Sequence, residues 1–450
     1  MVADAAARQV VMTHPTGSAW RLGAGVVALA FVLTAAGAVM GDTGVAPAAP
    51  AAAGAAVAPG AAARLGVRPL QAHLKAQPKD AGAWAALGAA YVEEARVSGD
   101  PSRYPQAEQA LARSLRLRAD DNAEALAGRA ALAAARHDFT AALGDADRAL
   151  AVNPYSERGL SVRIDALVEL GRYPQALDAA KQADARRPGI PVFTRFAYVH
   201  ELRGDTKEAR RVLELARGSA STRADIAYTE TALGQLAWSQ GEYDRALRHC
   251  AQALKAAPGN LEARECRARS TAGKDDLTGA VREFEAIVDQ SPLPGRLMAL
   301  GELYDAVGRP GPARQQYAVV GTWTGLARAG GVNPDLDTAL AAADHGDRAE
   351  ALRAARAEWQ RRRTVHTEDA LAWALHRAGR SEEALPHARA ATATGYRNAA
   401  FLYHRGMIES ATGAGPAARA SLTRALALNP AFSPLGAREA RRALDALEAS

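Results

Sequence analysis

Past residue 80 the apolar positions of this chain return at an interval of about 34 residues, in units that each hold two stretches of helix-forming residues. The clearest unit runs from Ala227 to Asn260. In it Leu233-Gly234 is followed by Gly241-Glu242-Tyr243, then by Ala246, Ala253-Leu254 and Pro258. Gly234 lets the two helices of a hairpin approach, and Gly241 ends the first of them. Tyr243 plugs the hairpin, Ala246 sits at the tightest helix crossing, and Pro258 stops the second helix. The pattern predicts a helical hairpin.

The signature recurs along the chain. It appears as Leu87-Gly88 with Tyr91 and Ala107, as His137-Asp138-Phe139 with Ala142 and Pro154, and as Gly171-Arg172-Tyr173 with Ala176 and Pro188. Further copies carry Gly204 with Ala209, Ala280 with Pro292, Leu300-Gly301 with Tyr304, Gly308 and Ala313, and Gly346 with Ala351. The last two carry Gly379 with Ala384, and Gly413 with Ala418 and Pro430. Ten copies fit, seven over residues 67–320 and three over 332–432, and Pro434 to Ala449 reads as a polar capping helix within 433–450. The spacing departs from register around Ser98 to Tyr104, near Arg217 to Asp225, and most at 321–331, where Gly321-Thr322-Trp323-Thr324-Gly325 and Gly330-Gly331 read as an interruption. That interruption is either a hinge between two sub-arrays or a functional loop.

Upstream the pattern is different. Residues 22–40, LGAGVVALAFVLTAAGAVM, carry no charge, and as a helix would span roughly 28 Å, close to a bilayer core. Arg8 and Arg21 precede this stretch within a short cytoplasmic tail, 1–21, and the next basic residue is Arg64, so the positive-inside rule puts the repeats on the outer side. Ala36-Gly37-Ala38 also has the form of a signal-peptidase site, which leaves a retained transmembrane anchor and a cleaved signal both open. Met12 is an alternative start. No cysteine follows for a lipid anchor. Residues 41–66 are almost purely Ala, Pro, Gly and Val, a semi-rigid spacer.

Composition supports an all-α protein: 48% of residues are hydrophobic but only 5% aromatic, so Ala and Leu dominate. The net charge of +6 is spread along the chain and names no partner, and no basic block is interleaved with aromatics, which argues against nucleic acid. The one basic run, Arg361 to Arg363, reads as a solvated helix end. Two cysteines, Cys250 and Cys266, exclude a disulfide framework and an all-cysteine metal site. They fall on successive helices, so they either bridge, as an oxidising compartment allows, or stand as two small buried side chains. Ten scattered histidines, without HExxH, a nucleophile elbow or a phosphate-binding loop, argue against an enzyme and imply no cofactor or metal. Glu382-Glu383 and Asp275-Asp276 fall at helix starts, where the dipole accounts for them.

The repeated residues resemble the tetratricopeptide repeat, with an aromatic at its fourth position, Leu-Gly at the seventh and eighth, Ala at the twentieth and Pro at the thirty-second. The resemblance covers roughly residues 81–432 and implies an α-solenoid, a right-handed superhelix of helical hairpins, that binds a partner protein or peptide in its concave groove. The alternative is a small-ligand or lipid sensor or carrier using the same groove. The family's concave positions fall here on Tyr198, Tyr228, Gln235, Trp238, Trp373, His376 and Tyr403, where aromatics either anchor a partner or pack between repeats. The carboxylate clamp that holds chaperone tails needs Lys and Asn where this chain has Ala85 and Ala89, so chaperone-tail binding is not expected. The expected whole is an extracytoplasmic interaction scaffold at the cell membrane, or secreted if the signal is cleaved.

A stability ranking follows from this register. Replacing Ala246 or Ala176 with a bulky residue overpacks a helix crossing and lowers stability by about 1–3 kcal/mol. Arg362→Ala, at a solvated helix end, is expected to be near neutral. Thermal melts of the variants rank the two.

Overall fold

The structure, a computed structural model, describes residues 66–98 and 100–449; the hydrophobic stretch 22–40, Met12 and the spacer up to residue 65 lie outside them. A short helix, α1 (Val67–Ala76), leads into ten antiparallel hairpins, and among the described residues there is no strand. The hairpins pair α2 (Ala81–Ser98) with α3 (Tyr104–Leu117), α4 (Ala123–Ala135) with α5 (Phe139–Val152), and α6 (Glu157–Glu169) with α7 (Tyr173–Arg186). They continue with α8 (Ile190–Leu202) and α9 (Thr206–Gly218), α10 (Arg223–Ser239) and α11 (Tyr243–Ala256), and α12 (Leu261–Gly273) and α13 (Leu277–Val288). The last four pair α14 (Pro294–Ala306) with α15 (Pro310–Ala329), α16 (Asp335–His345) with α17 (Arg348–Arg361), α18 (Val365–Arg377) with α19 (Ser381–Ala391), and α20 (Ala399–Ala411) with α21 (Gly415–Leu428). The closing helix α22 (Gly436–Ala449) packs on the tenth hairpin.

The repeat residues do what their spacing requires. The ten alanines at the helix crossings, from Ala107 to Ala418, are each at most 1% exposed, so none has room for a further methylene. At Gly241 φ is +73°, its N–H donates to Trp238 O at 2.9 Å, and Glu242 N–H donates to Ala237 O at 2.9 Å, a helix stop that needs a left-handed residue. His137 and Asp275 adopt the same conformation at the equivalent turn without being glycine. Second helices then start on Asp138, Asp205, Asp276 or Asp347, whose carboxylates accept the free N–H groups of the first turn. A Cβ at Gly234 would stand 2.8 Å from the Cys266 sulfur, so this glycine is what allows α10 to meet its neighbours.

Two expectations need correction. Residues 321–329 are helical, the last turns of α15, and only Gly330-Gly331 makes a turn. The helix outlasts its hairpin because Trp323, Ala327 and the following Val332 join the buried cluster of Leu70 on α1 with Leu87, Tyr104 and Leu111 of the first hairpin. That burial outweighs the roughly 1 kcal/mol cost of each mid-helix glycine. The segment therefore ties the seventh hairpin to the first.

The second correction concerns Arg361 to Arg363. Arg362 is 7% exposed; its guanidinium pairs with Glu358 on its own helix and with Glu169 of α6, and stacks over Phe139 of α5 at 4.9 Å. The run ends a helix as expected, but that end meets another part of the array. The stack completes a superhelical turn and its successive turns touch.

These contacts recur at nearly constant separation. His137 Nδ1 meets Asn333 O at 2.7 Å across 196 positions, and Val365 N–H donates to Tyr173 OH at 2.9 Å across 192. Tyr243 OH reaches Asn429 Oδ1 at 2.5 Å across 186. Each joins the loop inside one hairpin to the link between hairpins five to six copies later. The C-terminal end closes on the seventh hairpin: Ser433 Oγ donates to Glu302 Oε2 at 3.0 Å, and Arg438 Nη1 to Ala306 O at 2.9 Å.

Arg362→Ala strips the buried Glu358 of its main counter-charge, so stability falls by about 3–5 kcal/mol and the ranking against Ala246 no longer holds. Glycines in the hairpin turns separate the two kinds of contact. Gly171 and Gly379 share a left-handed φ, but a Cβ at Gly171 would lie 2.0 Å from Arg363 O whereas at Gly379 it meets nothing within 4 Å. Gly379→Ala costs about 1 kcal/mol, and Gly171→Ala clearly more. Equal melting temperatures for the two would show that the turns do not touch.

Candidate interaction site

Several first helices of the hairpins bury charged side chains, among them Arg195, Glu230, Arg296 and Asp369. Arg195 of α8 grips Asp165 of α6 with two bonds of 2.9 Å and donates to Pro191 O at 2.7 Å. Arg296 of α14 reaches Glu265 of α12 at 3.1 Å and Glu262 at 3.3 Å, while Arg269 holds Glu265 at 2.9 Å. Burial works to raise the Glu265 pKa, and the two guanidiniums outweigh it and hold the carboxyl below its ordinary value. At Asp165 burial prevails over Arg195 and the pKa rises.

The seven residues expected to face a partner lie on the first helices of their hairpins and are largely engaged. Tyr198, Trp373 and Tyr403 are buried. Trp373 donates from Nε1 to Asp344 Oδ1 at 2.8 Å and stacks on His404 at 4.2 Å, and Tyr403 OH donates to Glu439 Oε2 at 2.6 Å. His376 stacks on Trp373 at 5.1 Å, with Nδ1 3.0 Å from Ser381 Oγ. Tyr228, Gln235, Trp238 and His376 keep partial exposure. The structure thus brings Trp373, His376 and Tyr403 together in one packed group, and sets Tyr228, Gln235 and Trp238 along α10.

The Cys250 and Cys266 sulfurs are 2.12 Å apart, at bonding distance, with Cα atoms 6.2 Å apart. They join α11 to α12 beside Gly234. Among the described residues no group of His, Cys, Asp and Glu is arranged to hold a metal ion.

Sequence reasoning passed over Asp165, Arg195, Glu201, Glu265 and Arg296, all on first helices. Charge at those positions was the available signal. Glu201 is notable: burial alone pushes its pKa up to about 8, with Tyr198 and Tyr396 beside it and no ion pair among the described residues. Asp337 is pushed up to about 7 by burial. Burial also lowers His137 and His376 to about 4 and His366 to about 3, helped by nearby arginines.

Residues 231–260 match the tetratricopeptide repeat family model, most of the unit from which the sequence pattern was built. The chain is similar in structure to TTC0263, a thermophilic TPR protein of Thermus thermophilus, at 27% identity over 38% of this chain and 91% of that one, with a TM-score of 0.35. It is also similar to the APC/C hetero-tetramer Cut9–Hcn1, at 14% identity over 84% and 81% with a TM-score of 0.39. A third similarity is to the human IFIT1 dimer with PPP-AAAA, at 14% identity over 79% and 86% with a TM-score of 0.44. No curated protein matches the sequence.

The buried titrating groups set a pH profile. The unfolded chain takes up protons at histidine near 6.5 while His137, His366 and His376 refuse them until about 3–4, so stability is lost as pH falls below 6.5. Glu201 and Asp337 act oppositely: folded, they keep protons that the unfolded carboxyls release near 4, so stability falls as pH rises through about 7–8. Above pH 6.5 the carboxyls act together with His404, which burial pushes down but Asp369 holds above the ordinary histidine value, and which loses its proton as pH rises. Glu201→Gln should therefore melt higher than the native chain at pH 8 and much like it at pH 5; an unchanged melting curve at pH 8 would refute this.

Proposed function

We propose that this chain is a protein-interaction scaffold, carried outside the cytoplasmic membrane behind residues 22–40. The observation that carries the binding role is the stack itself. Ten hairpins of tetratricopeptide type close on themselves, and their buried charges are largely paired with one another, so the stack is a stiff frame with side chains to offer at its surfaces. Such frames serve binding by holding a partner's surface in a fixed register at little entropy cost. The location rests on Arg8 and Arg21 before an uncharged stretch long enough to span, and on two sulfurs at bonding distance, a pairing that persists in an oxidising compartment.

Three measurements test the reading. Protease added to intact spheroplasts digests the repeats if they face outward, and protection of residues 67–450 would put them in the cytoplasm. Non-reducing alkylation followed by mass spectrometry finds Cys250 and Cys266 blocked as a disulfide; two alkylated thiols would count against export. Crosslinking of the full chain in its own membranes, then capture and a stringent wash, recovers a defined protein partner, and repeated recovery of none would end the scaffold reading.

A further inference from the structure

The first helices inside the stack are crowded by paired charges, but the N-terminal end of the stack is not. Inside the array each hairpin is covered by its neighbours on both sides. On the outer side of the first hairpin the described residues place α1, which lays Leu70 and Leu74 on α2 and donates from Gln71 Nε2 to Tyr91 OH at 2.7 Å. Beside it a cleft of about 310 Å³ runs between α2 and α3. Its floor is Leu87, Tyr91 and Ala110, its rim the half-buried Trp84. Gln106, Gln109, Arg113 and Arg116 follow one face of α3 at helical spacing along the other wall.

Charge distinguishes this cleft. Arg113 and Arg116 make no ion pair or side-chain hydrogen bond among the described residues, and Arg68, Lys75, Lys79 and Arg118 add exposed positive charge around them. Most acids of the same end are occupied; among the described residues Asp120 and Asp121, exposed just beyond α3, are not, and the cations named outnumber them. Asp80 pairs with His73 at 2.9 Å, Glu93 with Arg96 at 2.6 Å, Glu94 with Arg103 at 3.1 Å and Glu108 with Arg136 at 2.9 Å, while Asp100 caps the turn at Pro101. The other cleft of similar size, between α5, α6 and α7, carries acids as well as arginines, with Arg163 on Asp147 at 2.8 Å and Asp178 in its lining.

We infer that the cleft between α2 and α3 is a docking site for an acidic amphipathic helix of a partner protein, its apolar residues on Trp84, Leu87 and Ala110 and its carboxylates on Arg113 and Arg116. This rests on the scaffold reading and names where, and by what chemistry, the partner is held. A helix is the shape that fits, because laid in the cleft it continues the stack as the next hairpin does on the opposite side of α2 and α3. A second copy of this chain is disfavoured: two such ends repel, and the C-terminal helix mixes Arg438, Arg441 and Arg442 with Glu439, Asp445 and Glu448. A nucleic acid would leave the apolar floor unused.

Fluorescence anisotropy of the full chain in detergent tests the site. The probes are labelled peptides of about 18 residues, five helical turns, with a leucine stripe flanked by Glu in one and by Lys in the other, and a single-stranded RNA of about 20 nucleotides. The Glu peptide should bind, more weakly as salt rises, while the Lys peptide and the RNA do not. Arg113→Glu with Arg116→Glu should weaken the Glu peptide by about tenfold or more and admit the Lys peptide, a gain that only a folded variant can show. Gln109→Glu, which keeps both arginines, should weaken the Glu peptide by less. Failure of the Glu peptide to bind, equal binding to the double variant, or RNA binding lost in that variant would each overturn the proposal. Crosslinked partners captured equally by the native chain and the double variant would reject the cleft while leaving the scaffold intact; partners captured by neither would reject the scaffold itself.

Discussion

The structure depends on a buried arginine at a place where the chain meets itself. Arg362, near the end of the eighth hairpin, is held by Glu358 on its own helix and by Glu169 and Phe139 from hairpins that lie one superhelical turn earlier. Burying that guanidinium is costly, and two carboxylates and an aromatic face offset the cost. Burial raises the pKa of Glu169 in spite of Arg362, whereas Glu358, held by both Arg361 and Arg362, stays below its ordinary value. Around this cluster lie the backbone contacts of Gly171 with Arg363 and of Gly204 with Gly395, so close that no side chain fits between them. A stack of hairpins that would otherwise touch only neighbours gains contacts across almost two hundred positions.

Closure changes what the concave face can be. Tyr198 packs in one cluster with Val365 and Phe401 of a later turn, while Trp373 and Tyr403 pack against the elements next to them and Arg195 and Arg296 find their carboxylates on the preceding hairpin. The extended helix α15 contributes to the same tightening, carrying Trp323 and Ala327 from the seventh hairpin onto the first.

Small departures from the repeat also acquire a role. Glu230 and Glu368 stand where the repeat pattern has an aromatic, and each is served by a histidine of its own hairpin, His249 and His387, at 2.6 Å. The preceding hairpin supplies the second donor, Arg217 at 2.6 Å in one case and Trp359 at 2.8 Å in the other. Two hairpins four copies apart thus solve the same substitution with the same geometry.

The hairpins were legible from the sequence because their determinants are local. A glycine that permits a left-handed turn, an aspartate that caps the next helix, and an alanine where two helices cross at no distance act within about 34 residues, so ten copies, their register and the capping helix could be read in order. The Cys250 and Cys266 pairing was also within reach, since adjacent helices must pack. The superhelical pitch was not. It is the sum of small rotations at every hairpin interface, and no single residue encodes it. Whether Arg362 meets solvent or Glu169, and whether Gly321 to Ala329 is a loop or a helix on the first hairpin, both follow from that sum. Only the tertiary structure, by bringing residues nearly two hundred positions apart into contact, decided them.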